Sequence, residues 1–275
     1  MYKNYIDGKW VEGKNGAKYA SLNPANEEIV GEISQAEVSD VEAAVEAASR
    51  AFNAWRLTPA PRRGEILYRV GQLLQERKEQ LSQLLTREMG KVIAEARGDV
   101  QEAIDMAFYM GGEGRRMLGY TAPVEMPNKF GMAVREPIGV CAIITPWNFP
   151  LAVPSWKIFP ALVAGNTLVY KPSPETPILG IEFVKVFEDA GLPAGVINVI
   201  TAPGIEVGQA LVRHPKVKAI SFTGSTKTGT TIAGKKTFEI IFVPTEAGEL
   251  SIPPLEFSFF EPRSQNYQVA IFNSY

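Results

Sequence analysis

Gly139-Val140-Cys141-Ala142-Ile143-Ile144 runs straight into Thr145-Pro146-Trp147-Asn148-Phe149-Pro150. The first six residues are uncharged and apolar, which reads as a strand buried on both faces. The prolines that bracket the next six end that strand in a fixed loop. Such a loop sits at the carboxyl edge of a sheet, where open α/β folds bind ligands. The Asn148 amide can donate to a developing oxyanion there, and Trp147 beside it supplies an apolar wall.

Downstream of residue 139, short apolar runs alternate with helical stretches. Residues 167–170, 196–200 and 219–222 read as further buried strands, with helices near 153–162, 177–190 and 206–212. That alternation predicts an α/β fold with a parallel, doubly wound sheet. Upstream, Asp7-Gly8 marks a hairpin turn, and Asn23-Pro24-Ala25-Asn26 a second turn before a short strand at 29–33. Ser39 with Glu42 three residues on has the form of a capping box opening a helix whose apolar face carries Val41, Val45, Ala48, Phe52 and Trp55. A longer helix is expected from about Pro61, with Ile66, Leu67, Val70, Leu73, Leu74, Leu81, Leu84 and Leu85 at helical spacing and Gly90 as its stop. A third runs over 93–117. Residues 119–137, with Pro123, Pro127 and an Asn128-to-Gly131 turn, suggest a projecting β-hairpin. From about Thr237 neither period holds, and the Phe- and Pro-rich stretch to Tyr275 takes no assignment.

Two more blocks lie between a strand and a helix. In Tyr170-Lys171-Pro172-Ser173-Pro174-Glu175-Thr176-Pro177 the lysine either binds a ribose hydroxyl or phosphate of a nucleotide or is simply solvated. In Phe222-Thr223-Gly224-Ser225-Thr226-Lys227-Thr228-Gly229, Gly224 permits close approach of a ligand to the backbone, and Ser225 either donates to a pyrophosphate or caps the helix. Neither the dinucleotide fingerprint Gly-x-Gly-x-x-Gly nor the Gly-Lys-Ser/Thr of a phosphate-binding loop is present.

Taken together and in this order, the three blocks resemble the cofactor-binding half of the aldehyde dehydrogenase family, over residues 1–236. The resemblance implies a Rossmann-like NAD(P)-binding domain with N-terminal helices and a bridging, oligomerisation hairpin at 119–137, followed by a tail at 237–275 outside the family pattern. It places Thr145, Pro146, Trp147, Lys171, Ser173, Gly204, Gly208, Gly224, Ser225 and Thr228 on cofactor-contacting positions and Asn148 on the side-chain donor of the oxyanion hole. Phe149, Val153 and Trp156 fall on the aldehyde channel, and Lys157 near a proton-handling network. NAD-preferring members carry Glu where this chain has Pro174, so NADP is expected to bind at least comparably to NAD.

The family reaction needs a cysteine thiolate and a glutamate base. The matching stretch around Glu239 lacks the Gly-Gly-Lys that follows the family's base, and the single cysteine, Cys141, lies inside the buried strand with nothing basic beside it. His214 reads as an exposed helix-end residue. The resemblance therefore implies a shortened oxidoreductase without nucleophile or base, with a change of reading frame near Lys236. Unpaired interface surface would then favour association or poor solubility. A second reading is a nucleotide-binding, non-catalytic subunit or decoy joining full-length relatives; a third is an enzyme using Cys141 or a tail residue.

Composition narrows the classes. The chain has 275 residues, 45% hydrophobic and 21% charged, with a net charge of −2, so nothing in its charge points to nucleic acid or an anionic membrane. No apolar run is long enough to span a bilayer, and no signal-peptide core stands at the N-terminus. One cysteine and one histidine argue against a disulfide and against a Cys/His metal site, and a cytoplasmic protein is expected.

Overall fold

The computed structural model describes residues 1–233, 255–261 and 266–272, with side chains described through residue 230. The chain divides into two units, Met1–Gly234 and Lys235–Tyr275. The first unit contains strands β1 (Asn4–Ile6), β2 (Lys9–Val11), β3 (Lys18–Leu22) and β4 (Ile29–Ser34), then helices α1 (Val38–Leu57), α2 (Ala60–Glu76), α3 (Lys78–Met89) and α4 (Ile93–Glu113). The exposed pair β5 (Tyr120–Ala122) and β6 (Gly131–Ala133) follows. Strands and helices then alternate as β7 (Val140–Ile144), α5 (Ala152–Val163), β8 (Thr167–Lys171), α6 (Pro177–Asp189), β9 (Ile197–Val199), α7 (Glu206–Arg213), β10 (Val217–Phe222) and α8 (Thr226–Ala233).

The main sheet has the order β10-β7-β8-β9-β1-β2. From the β10 edge inward, β10, β7, β8 and β9 run parallel, and β1 and β2 close the other side as an antiparallel pair. Period-two alternation divides the core. Cys141, Ile143, Leu168, Tyr170, Ile197 and Val199 face the layer built from α2 to α6. Val140, Ala142, Ile144 and Val169 face α1 and α7. With both faces covered, the parallel strands can be apolar throughout, as the sequence has them. The α/β, doubly wound expectation and the projecting hairpin therefore hold.

Four local expectations change. The capping box of α1 is Glu37 and Asp40 rather than Ser39 and Glu42, because the helix begins at Val38 and the Asp40 carboxylate accepts the Glu37 N–H at 2.9 Å. The leucine-spaced helix from Pro61 is two helices. Arg77 breaks it at φ −95° and ψ 8°, and its guanidinium reaches Asp189 at the end of α6 at 2.7 Å. The next helix stops at Glu113, short of Met117, in a glycine-rich end that lets α2 and α4 touch backbone to backbone: a Cβ on Gly64 would lie 2.4 Å from the Gly111 carbonyl oxygen. Lastly, β10 is only half buried, since among the described residues it pairs with β7 alone and alternates outward.

In the second unit, β11 (Leu255–Glu261) pairs antiparallel with β12 (Asn266–Phe272), in register from Leu255 opposite Phe272 to Glu261 opposite Asn266. Part of the stretch from Thr237 onward thus has regular structure. Lys236 and Glu239 lie outside the described residues.

Candidate functional site

Strands β7, β8 and β9 are laid down in one direction, with α5 and α6 on one face. The chain then returns through α7 on the opposite face and sets β10 on the far side of β7. The strand order reverses between β7 and β10, and their carboxyl ends open a crevice there. A cleft of about 400 Å3 occupies it. Its lining includes Thr145, Pro146, Trp147, Lys171, Ser173, Gly204, Gly208, Gly224, Ser225 and Thr228, so residues drawn from four strand ends meet on one surface.

Local bonds hold these ends together. The Thr145 N–H donates to the Lys171 carbonyl at 3.4 Å, the Thr223 N–H to the Ile144 carbonyl at 3.0 Å, and the Thr145 hydroxyl lies 3.3 Å from that of Tyr170. Ser225 accepts the Thr228 N–H on its Oγ at 3.1 Å, so here it caps α8. Lys171 is 7% exposed, yet its ammonium makes one long hydrogen bond, 3.4 Å to the Pro172 carbonyl. Burial pushes its pKa down to about 8, opposed by the nearby Glu175 carboxylate. A cation held so far from water with so weak an acceptor favours a ligand that brings oxygen atoms.

Glu175, Ile205, Phe222 and Thr223 also line the cleft, and the Glu175 carboxylate accepts the Ser173 hydroxyl. Glu175 is not among the positions that the resemblance gives for the cofactor; its place four residues after Lys171 in a proline-fixed loop is the local signal for it.

The remaining candidates lie beside the cleft rather than in its lining. Asn148 is exposed next to Trp147, and Phe149 and Trp156 are exposed while Val153 is buried. Lys157 reaches across from α5 to β10, its ammonium 3.1 Å from the Ser221 hydroxyl, and burial lowers its pKa.

Cys141 is buried, and loss of solvation pushes its thiol up to about 11, which leaves it without thiolate at neutral pH. His214 departs from expectation, because its ring is covered, with 8% of the side chain accessible. It accepts the Lys216 N–H on Nδ1 at 3.1 Å, which leaves the proton on Nε2, 2.9 Å from Glu42. Glu42, Glu46 and His214 come close enough to share a cation. With its proton on Nε2, however, the imidazole has no lone pair to offer there, and the group is a hydrogen-bonded cluster, flanked by the Lys216–Glu46 ion pair, that joins α1 to the end of α7. Among the described residues, no helix is long and apolar enough to cross a membrane.

The profile of the aldehyde dehydrogenase family matches residues 10–248. An alpha-ketoglutaric semialdehyde dehydrogenase of Bacillus subtilis is 43% identical over 229 residues, which are 83% of this chain and 47% of that protein. Betaine aldehyde dehydrogenase of Staphylococcus aureus, solved in complex with NAD+, superposes with a TM-score of 0.83 at 36% identity, covering 85% of this chain and 47% of the other. A solved Escherichia coli NADP-dependent enzyme gives 0.83 at 38% identity, covering 85% and 49%. The chain thus spans about half the length of the relatives it matches. Similar in sequence and in fold over most of its residues, the chain belongs to the aldehyde dehydrogenase family.

Proposed function

We propose that the cleft at the β7/β10 crevice is the nicotinamide dinucleotide site of an oxidoreductase of this family, acting on small-molecule aldehydes in its full-length relatives. The observation that carries this reading is Lys171, a buried ammonium that lines the cleft with only a 3.4 Å hydrogen bond to satisfy it. Ribose hydroxyls are suitable acceptors for it. Thr145, Pro146 and Trp147 would form one wall, Gly204 and Gly208 another, and Gly224, Ser225 and Thr228 the end near α8. The bound dinucleotide supplies the hydride acceptor for aldehyde oxidation. The Asn148 amide donates to the carbonyl oxygen as charge develops on it, and Phe149, Val153 and Trp156 line the aldehyde's approach.

Titrating residues 1–275 with each dinucleotide, followed by quenching of Trp147 emission, tests the assignment. Lys171→Ala is expected to weaken binding about 10- to 100-fold, the value of one or two charged hydrogen bonds. Unchanged affinity in that variant would refute the site. The same titration examines cofactor choice. Pro174 leaves the family's ribose-binding carboxylate out, and Glu175 is engaged by Ser173, so NADP is expected to bind at least comparably to NAD. The NADP-dependent relative agrees with that reading. A strong NAD preference would overturn it and point to Glu175 as the discriminating charge.

The reading extends to the chain as a whole. With Cys141 inert and no other cysteine in the sequence, residues 1–275 are expected to bind the dinucleotide without oxidising aldehydes. The family match runs to residue 248, and a shift of reading frame in the stretch that begins near Lys236 is the proposed reason that no nucleophile follows; the nucleotide sequence past codon 236 checks it. A non-catalytic subunit that joins full-length relatives is the second reading. It is favoured by the apolar strip of Leu118, Tyr120, Met126, Phe130 and Met132 exposed along the hairpin. That strip is the proposed oligomer surface, and the chain alone is expected to self-associate in light scattering. A monodisperse monomer that melts cooperatively would contradict this. A reducing cytoplasm is the compartment proposed, from the single unpaired thiol.

A further inference from the structure

Lys91 lies in the turn between α3 and α4, outside the sheet and far in sequence from the cleft, yet it is buried and aimed at the loop after β7. Its ammonium donates to the Asn148 carbonyl at 2.7 Å and to the Asp99 carboxylate at 3.2 Å, and it sits 3.6 Å from the centre of the Phe149 ring. Asp99, on α4, has no accessible side-chain surface. Its second oxygen accepts the N–H groups of Leu151 at 3.3 Å and Ala152 at 2.8 Å, the first amides of α5. Two oppositely charged side chains therefore grip the loop at 148, 149, 151 and 152. They leave Trp147 and the Asn148 side chain at its exposed crest. Burying such a pair is costly unless the partners are well placed, and packing the helices onto the sheet requires no charge at this point.

We infer that Lys91, held by Asp99, is a positioning residue that fixes the Asn148 peptide and so sets the edge of the cleft formed by Thr145, Pro146 and Trp147. Without the ammonium the Asn148 carbonyl loses its donor and the Phe149 ring loses its cation. The segment between Pro146 and Pro150 is then free to turn about those two residues. The effect on ligand affinity rests on the dinucleotide reading of the cleft; the effect on the loop does not.

The experiment combines hydrogen–deuterium exchange with dinucleotide titration of residues 1–275 in Lys91→Met, Lys91→Arg and Phe149→Leu, beside the Lys171→Ala control. Lys91→Met is expected to speed exchange about tenfold or more in peptides covering 147–152, to leave α6 unchanged, and to weaken NAD+ about tenfold. Lys91→Arg keeps the charge and is expected to restore much of both. Phe149→Leu, which removes only the ring contact, gives a smaller rise in the same peptides and keeps the test open should Lys91→Met fail to fold. Exchange that is unchanged at 147–152, or that rises evenly across the protein, overturns the inference. If the unaltered protein binds neither NAD+ nor NADP+, the dinucleotide reading fails, and the exchange measurement still decides the clamp.

Discussion

Arg63→Met is expected to remove about 3–5 kcal/mol of folding stability, measured as a shift in the urea unfolding midpoint. Arg63 is 5% exposed and has no carboxylate beside it. Its guanidinium donates through Nε to the Val163 carbonyl at 2.8 Å, and through Nη1 to those of Thr58 and, at 3.4 Å, Arg56. These carbonyls close α5 and α1, where helix ends leave acceptors unsatisfied and carry partial negative charge. The cation is thus balanced by two helix termini in place of an anion. Gly165, at φ +97°, lets the guanidinium lie flat on the backbone, 3.2 Å from where a Cβ would stand. Methionine fills much of the volume but leaves every one of these buried acceptors without its donor, and each costs about 1–3 kcal/mol. A domain of this kind holds roughly 5–15 kcal/mol in all. Arg63→Lys keeps the charge but reaches fewer acceptors, so an intermediate loss is expected. A loss under about 1 kcal/mol for Arg63→Met would show that the helix ends find other partners.

The features that were legible in the sequence share a cause. Strands buried on both faces must be apolar throughout, so β7 and β8 announce themselves as runs, and loops at their carboxyl ends fall on one crevice by topology alone. The ten residues that the resemblance gives as cofactor-contacting positions line one cleft. Strand β10 misled because its apolar residues cover one face of an edge strand, which a short run does not distinguish from burial on both. The break at Arg77 has no glycine or proline to mark it. Arg77 pairs there with Asp189, more than a hundred residues away, a contact that no local pattern shows. The polar groups that tie the helices to one another and to the loop after β7 are illegible because their partners are also distant in the chain. Arg63, Glu88 and Lys91 find partners 100, 90 and 57 residues on. One local sign existed. Asp99 stands among Ala96, Val100 and Ala103, and Glu88 three places after Leu85, so each puts a carboxylate on the buried stripe of its helix. A charge at such a position demands a partner from elsewhere in the fold.

Glu88 leads to the second large effect, a dependence of stability on pH that runs opposite to the usual behaviour of carboxylates. It is 2% exposed on α3 and accepts the Ser21 hydroxyl at 2.9 Å and the first amides of α6, Ile178 at 2.8 Å and Leu179 at 2.9 Å. Those donors favour the anion, but burial outweighs them, and Glu182 adds repulsion. The pKa is pushed up to about 7 from an ordinary 4.5. Between those values the folded chain holds a proton that the unfolded chain has released. The stabilisation is therefore complete below the ordinary value and is lost as pH rises through about 7. At about 1.4 kcal/mol per pH unit, the full difference amounts to roughly 3–4 kcal/mol, of which about 2–3 kcal/mol falls between pH 5 and pH 8. Glu79 runs the other way; hydrogen bonds from Arg97 and Gln83 hold this exposed carboxylate down at about 2. The contribution of Glu88 is isolated by comparison with Glu88→Gln, which keeps an acceptor for α6 but does not titrate. Unfolding free energies measured between pH 5 and pH 8 are expected to diverge, the unaltered protein gaining on the variant toward acid by about 2–3 kcal/mol. Parallel curves would mean that the Ser21 hydroxyl and the two amides at the positive end of α6 keep Glu88 ionised throughout. The gain then has to come from the cap itself, as a loss in Glu88→Gln that is the same at every pH.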